Sequence, residues 1–303
     1  MEKIYDIVVV GGGPAGLTAA LYGLRNGKSV TIVEKDVFGG QIANSPRVEN
    51  IPGFESISGD EFGDLMLNQV IKQGGEATFD KVTGIESEGE LLKVNLEYNG
   101  YLLGKTAILA TGTKHRSLGL LNEDRLIGKN VHFCAVCDGS FYKDKIVVMV
   151  GGGNSAFVEA NLLVDTVGKL IMLQDMPYFT ADKKNQEALF SKGNVETHVN
   201  CKILEYLMAD GNFIGLRYSE NGVEKIVQCD GVFLAVGLIP DNKAFENQVD
   251  LDERGYFKSD EFGYTKAPNI FVAGDCRAKR LRQVATACGD GANAAIAACE
   301  YLG

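Results

Sequence analysis

Histidine is scarce in this sequence, with three residues in 303. A zinc site needs paired histidines or a second Cys-x-x-Cys, and neither is present, so no metal is expected. Basic charge is short as well. Lys and Arg number 30 against 40 Asp and Glu, a net charge of −10. Nucleic acid and anionic membranes need basic surface and are excluded as general partners, although a local basic patch is not. No apolar run approaches the roughly 20 residues of a membrane span. No secretory leader is expected, because Met1–Tyr5 runs into the apolar stretch Asp6–Val10 without a cleavage-site pattern. The cysteines number seven, an odd count, and Cys201, Cys229, Cys276, Cys288 and Cys299 stand singly. That is not the disulfide framework of a secreted domain, and a cytoplasmic location is expected.

What is present is one nucleotide-binding pattern, written twice. Asp6–Val10 is a β-branched run ending in Gly11-Gly12-Gly13-Pro14-Ala15-Gly16, followed by a helical stretch through Arg25 and a second strand, Ser29–Val33, closing on Glu34 and Lys35. The pattern returns with Ile146–Val150, Gly151-Gly152-Gly153-Asn154-Ser155-Ala156, a helix to about Thr166 and a strand Leu170–Leu173 ending at Gln174-Asp175. Each copy continues into a stretch of strand-like alternation, residues 76–106 and 195–230. Each then closes on an apolar strand ending in glycine, Ile108–Gly112 and Phe233–Gly237. A lone GxGxxG is weak; two in strand-to-helix context predict an α/β chain of two doubly wound Rossmann-like domains. Asn269–Asp275 is a further buried strand, and an alanine-rich helix runs from about Gln283 to Leu302. Both belong with the first domain. The expected division is residues 1–114 with 245–303 for one domain and 115–244 for the other, the second inserted in the first, with short joints at Thr113–Ser117 and Pro240–Phe245.

The glycines of the first loop let the chain approach a pyrophosphate seated on helix N-terminal amides, and Glu34 stands where a carboxylate accepts from ribose hydroxyls. FAD or NAD satisfies this much. Three further features select FAD. Gly39-Gly40-Gln41 and Asn50-Ile51-Pro52-Gly53 follow Glu34. Ala110-Thr111-Gly112, with Arg116 after it, closes the domain. Gly274-Asp275 ends a strand where its carboxylate reaches a ribityl hydroxyl, and the helix start Arg282-Gln283-Val284 offers amides to the pyrimidine end of a flavin. The expected FAD set is Gly11, Gly13, Pro14, Ala15, Gly16, Glu34, Lys35, Gly40, Gln41, Asn50, Ala110, Thr111, Gly112, Gly274, Asp275, Arg282, Gln283 and Val284.

The remaining cysteines form Cys134-Ala-Val-Cys137, with Asp138 beside them. Two thiols at this spacing close a small ring, and a neighbouring carboxyl can trade protons with the thiolate that forms. Taken in order, the motifs GGGPAG, GGQ, ENIPGF, ATGTKHR, CAVCDG, GGGNSA, AVGLIP and GDCRAKRLRQVATACGDGANAA make the whole chain resemble the low-molecular-weight thioredoxin reductases. The resemblance implies a homodimer that reduces thioredoxin, with Cys137 facing the flavin, Cys134 exchanging with the partner disulfide and Asp138 protonating the leaving thiolate. It also implies a hinged rotation, since thiols in one domain must serve both a flavin in the other and a protein substrate.

One segment departs from the family. Members that use NADPH carry an arginine-rich patch after the second Gly loop and its next strand. Here that stretch reads Gln174-Asp175-Met176-Pro177-Tyr178-Phe179-Thr180, without a single cation. Each lost charge-assisted contact is worth about 1.5–3 kcal/mol, and losing two or three weakens NADPH binding roughly 10³-fold or more. An intact dithiol and FAD domain with a degraded patch resembles the ferredoxin-dependent flavin thioredoxin reductases. Reduced ferredoxin or flavodoxin is the expected donor, with Pro177 and the bulky Met176, Tyr178 and Phe179 filling the former cofactor cleft. The alternatives are an NADH site with Asp175 on the ribose, or a dithiol oxidase of small molecules that passes electrons to O₂. The densest basic cluster, Arg277, Lys279, Arg280 and Arg282, is the candidate docking patch for an acidic carrier.

Overall fold

The computed structural model describes residues 3–45, 48 and 50–303, and for Asn44, Val136 and Cys137 the backbone alone. The chain forms two compact units, Met1–Lys114 with Ile239–Gly303, and His115–Leu238. It passes between them within the three-residue strands Thr113–His115 and Leu238–Pro240. The return therefore comes at Ile239 rather than at residue 245. The reason is local: Asn242 accepts from Thr111 Oγ1 (2.7 Å) and donates to the carbonyls of Cys276 (2.8 Å) and Gly255 (2.9 Å), while Phe245 is buried in the first unit's core. The stretch expected to act as a joint is tied down.

In the first unit Glu76–Phe79, Val30–Glu34, Ile4–Val10 and Tyr101–Leu109 run parallel in that order, and Ile270–Val272 adds to the C-terminal half of Tyr101–Leu109. The N-terminal half of the same strand continues into an antiparallel meander, Leu91–Leu96 and Val82–Glu88. Both faces of the central strand are buried. Ile7 and Val9 pack on the side of the helices Pro14–Arg25 and Val284–Leu302, and Val8 and Val10 pack on the meander side. That is why the strand is a continuous apolar run and not an alternating one. The two helices touch at Gly291, where a Cβ would stand 2.1 Å from the Ala15 carbonyl oxygen.

The second unit repeats the plan. Val195–His198, Lys169–Leu173, Ile146–Val150, Gly231–Leu234 and Val131–His132 form a parallel sheet, and Cys201–Ala209, Asn212–Glu220 and Val223–Gln228 form the meander. Glu76–Phe79 and Val195–His198 thus belong to the parallel sheets and not to the alternating stretches in which the sequence pattern groups them. A helix precedes each, Gly59–Lys72 and Lys183–Phe190, and a strand after a crossover helix joins its sheet in parallel. Among the described residues no helix is long and apolar enough to cross a membrane.

Candidate active site

Four parallel strands of the first unit end at Val10, Glu34, Leu109 and Val272, on one edge of the sheet, which is where doubly wound folds bind nucleotides. Gly11 turns the chain off the first of them at φ +108, and a Cβ there would lie 2.2 Å from the Ala110 carbonyl oxygen. Gly16 approaches so closely that a Cβ would meet the Gly11 carbonyl oxygen at 1.8 Å. Pro14 sits in the first turn of the helix, and no side chain caps it, so the leading amides stay free for an anion. Gly40, at φ +61, brings the Gly39-Gly40 turn against Gly13; a Cβ on Gly40 would stand 3.1 Å from the Gly13 Cα.

The buried Glu34 accepts from the amides of Gly12 (2.6 Å) and Asp36 (2.8 Å), which fix its carboxylate and leave further lone pairs for hydroxyls. Lys35 pairs with Asp241 at 2.7 Å. Asn50 donates to Gln283 at 2.8 Å, so two residues that are far apart in the chain meet at the start of the last helix, where Gln283 is also the N-cap. Gly274, at φ +82, lets Asp275 follow directly; a Cβ on it would stand 2.7 Å from the Ala15 Cβ. Asp275 Oδ1 is buried without a hydrogen-bond partner, with the Lys279 ammonium 3.5 Å away. Burial pushes this carboxyl up, against the pull of Lys279 and Arg282. An orphaned buried acceptor beside a glycine cradle suits a polyhydroxylated dinucleotide such as FAD. Arg282 lies over the Tyr256 ring at 4.1 Å and donates to the carbonyls of Asp275 and Arg277.

The expected docking patch is largely absent as free charge. Arg277 is buried and donates to Asp290 (2.9 Å), Ser259 and the Asp260 carbonyl, and Lys279 donates to Asp290 at 2.8 Å. Asp290 pairs with both, Asp275 lies 3.5 Å from Lys279, and of the four cations only Arg280 is exposed. A run of like charge in sequence is here an internal network that shapes the turn before the last helix.

In the second unit Cys134 precedes a one-turn helix, Ala135–Asp138, and is disulfide-bonded. The Cys137 backbone is in that turn, and its side chain lies outside the described residues. The Ala135 amide donates to Glu159 Oε2 at 3.1 Å, from the helix Asn154–Leu163 below. Burial pushes Glu159 up to about 7, the Ala135 N–H pulling the other way. Asp138 Oδ2 lies 3.0 Å from Nδ1 of the buried His132, although not in hydrogen-bond alignment. On its far side His132 Nε2 meets the Tyr142 hydroxyl at 2.8 Å, and Tyr142 donates to the Lys129 carbonyl at 3.1 Å. The imidazole stacks on Phe233, centroids 5.2 Å apart. Sequence patterns do not single out His132, Tyr142 and Glu159 as site residues. The available signal is a histidine two places before a Cys-x-x-Cys in a chain with three.

The second Gly loop is built like the first. Gly151 has φ +127, with the Ala235 carbonyl oxygen 2.5 Å from where its Cβ would be. Beside it lies an open groove lined by Gly151–Gly153, Gln174, Asp175, Arg116 and Lys202. Met176 and Tyr178 are exposed, and Phe179 packs behind the loop on Phe157 and Phe190, so these three do not fill the groove as expected. The amides of Thr180 and Ala181 bond the Gly152 carbonyl instead.

Comparison with known proteins agrees with this construction. Residues 5–291 match the pyridine nucleotide-disulphide oxidoreductase family. The thioredoxin reductase of Listeria monocytogenes is 39% identical, over 99% of this chain and 95% of its own length. That of Bacillus subtilis is 36% identical, over 99% and 96%. The crystal structure of Lactococcus lactis thioredoxin reductase in its FR conformation superposes with a TM-score of 0.83 at 33% identity, covering 98% of this chain and 99% of that one. The chain belongs to the low-molecular-weight thioredoxin reductases within the pyridine nucleotide-disulphide oxidoreductases, and it is a flavoprotein with FAD as its cofactor.

Proposed function

We propose that this chain reduces thioredoxin with electrons from reduced ferredoxin or flavodoxin and not from NADPH. The supporting observation is the groove beside the second Gly loop. The segment Gln174–Thr180 brings it no cation, and Asp175 sits in its lining, where it opposes a 2′-phosphate. In this reading the first unit holds FAD through the residues from Gly11 to Val284 named above, and the second unit carries the dithiol. Bound FAD supplies the step from single electrons to the pair that opens a disulfide.

The chain's own residues do the rest. With the Cys134–Cys137 disulfide reduced, the Cys134 thiolate attacks one sulfur of the thioredoxin disulfide. A mixed disulfide forms, and the released thioredoxin sulfur takes a proton from Asp138. Cys137 then gives its proton to Asp138 and attacks Cys134 Sγ, which re-forms the intramolecular disulfide, and the second thioredoxin sulfur leaves and takes that proton. Dithiol and FAD residues lie in different units, and the short strands Thr113–His115 and Leu238–Pro240 are the places where a rotation would be absorbed. A homodimer in the cytoplasm completes the reading, on the strength of family membership and of five free cysteines.

NADH is the second reading. It is favoured by the open groove, with Asp175 available to a ribose and Arg116 and Lys202 to a pyrophosphate. The deciding experiment is anaerobic addition of NADPH, NADH or reduced ferredoxin to the purified holoenzyme, following the flavin absorbance. Ferredoxin should bleach it within the turnover time and NADPH should not. Rapid bleaching by micromolar NADPH overturns the donor assignment and leaves the dithiol assignment standing.

A further inference from the structure

We infer that His132 is a positioning residue that holds, together with Asp138, the single proton used in thiol–disulfide exchange. The inference rests on the reading of Asp138 as the proton donor and deepens it.

Hydrogen-bond counting carries it. A tyrosine hydroxyl has one proton, and Tyr142 gives its own to the Lys129 carbonyl at 3.1 Å. Burial, with the charge of Asp138 adding to it, pushes that hydroxyl up to about 12, so it stays protonated. A carbonyl can only accept, so with that proton on the Lys129 carbonyl the Tyr142 oxygen accepts at its contact with His132 Nε2, 2.8 Å away, which assigns the ring hydrogen to Nε2. In the neutral ring that leaves Nδ1 bare, with the Asp138 Oδ2 3.0 Å from it. Two bare acceptors at that distance repel, and Nδ1 is buried without another partner. One proton between them removes the conflict, and the Asp138 side chain, 28% exposed, is open to solvent.

The surroundings hold the ring and not the proton. His132 stands on the edge strand Val131–His132, pinned between Phe233 (5.2 Å, stacked) and Tyr142 (edge-on). The other ionisable groups facing this cluster are few. Asp230 and Cys229 act on Tyr142, Lys145 lies over the Tyr142 ring, and Glu159 faces the Ala135 amide. The partly exposed Asp138 is thus the outlet and the buried His132 the store. When the second leaving sulfur has taken its proton from Asp138, the pair is recharged from solvent through Asp138.

The test uses the holoenzyme with three variants, His132→Gln, Asp138→Asn and Tyr142→Phe. Each is pre-reduced with dithionite, mixed anaerobically with excess oxidised thioredoxin, quenched in acid, and its released thiols alkylated and counted between pH 6 and 9. Asp138→Asn should slow exchange about 100-fold throughout, a typical loss for a general acid. His132→Gln should slow exchange about tenfold at pH 8, with a rate–pH profile that no longer runs parallel to wild type, because the imidazole no longer shares the proton with Asp138. Tyr142→Phe should move the profile part of the way. In the wild type, ring nitrogen shifts of the three ¹⁵N-labelled histidines should place hydrogen on Nε2 of His132, with Nδ1 shifting in Asp138→Asn. A His132→Gln profile parallel to wild type, or a His132 ring with hydrogen on Nδ1 and a bare Nε2, overturns the proton-holding role. Full-speed exchange in Asp138→Asn instead sinks the underlying assignment of Asp138. If His132→Gln does not fold, the Tyr142→Phe profile and the wild-type ring shifts still decide.

Discussion

If the absence of cations in Gln174–Thr180 is what excludes NADPH, supplying them at residues 175 and 176 should restore binding. The double substitution Asp175→Arg with Met176→Arg places two guanidinium groups beside the groove next to Gly151–Gly153, in which Asp175 is a lining residue. Both positions are exposed, so the fold should tolerate the change within about 0.5 kcal/mol. Two charge-assisted contacts to a 2′-phosphate are worth about 3–6 kcal/mol, or roughly 10²- to 10⁴-fold in affinity. Solvent screening at exposed sites argues for the lower end, about 100-fold. The assay is calorimetric titration of holoenzyme and variant with NADPH and NADH at low and moderate salt. The expected result is a gain confined to NADPH and weakened by salt, with NADH unchanged or poorer because its ribose loses Asp175. An equal gain for both nucleotides, or none for either, would show that the 2′-phosphate is not read at these positions, and NADPH would again qualify as donor.

Two further outcomes are expected. Gly11→Ala should abolish flavin retention, because φ +108 and a Cβ 2.2 Å from the Ala110 carbonyl oxygen both oppose a side chain; a variant that purifies with a normal flavin-to-protein absorbance ratio contradicts the cradle. Glu159 is held at about 7 by burial, above its ordinary value of 4.5, so it stabilises the fold below about pH 4.5 and that contribution is lost as pH rises through about 7. Glu159→Gln keeps an acceptor for the Ala135 amide and should therefore raise the melting temperature at pH 8, by about 1–3 kcal/mol of stability, while changing little near pH 4.5. A constant offset across that range would place the effect in packing and not in charge.

Much of this protein is legible along the chain. A strand ending in closely spaced glycines and followed by a helix can satisfy its backbone in few ways, so two such units already specify a pair of doubly wound sheets, and with them the edge on which Gly11, Glu34 and Asp275 gather. The spacing of Cys134 and Cys137 likewise carries its chemistry locally, because ring closure depends on a few adjacent residues. Tertiary structure alone decides where side chains point and which charges cancel. Arg277 and Lys279 form a basic run in sequence, yet Asp290, in the second turn of the last helix, pairs with both, and Asp275 lies 3.5 Å from Lys279. Met176 and Tyr178 are apolar and aromatic in sequence, yet both are exposed and neither lines the groove, which stays open. His132 touches Tyr142 and Phe233 only because the strand Val131–His132 joins the sheet beside Gly231–Leu234. Covalent neighbours and backbone sterics are short-ranged and can be read residue by residue. The pairing of charges and the partnering of a buried ring depend on distances through space, which only the folded chain sets.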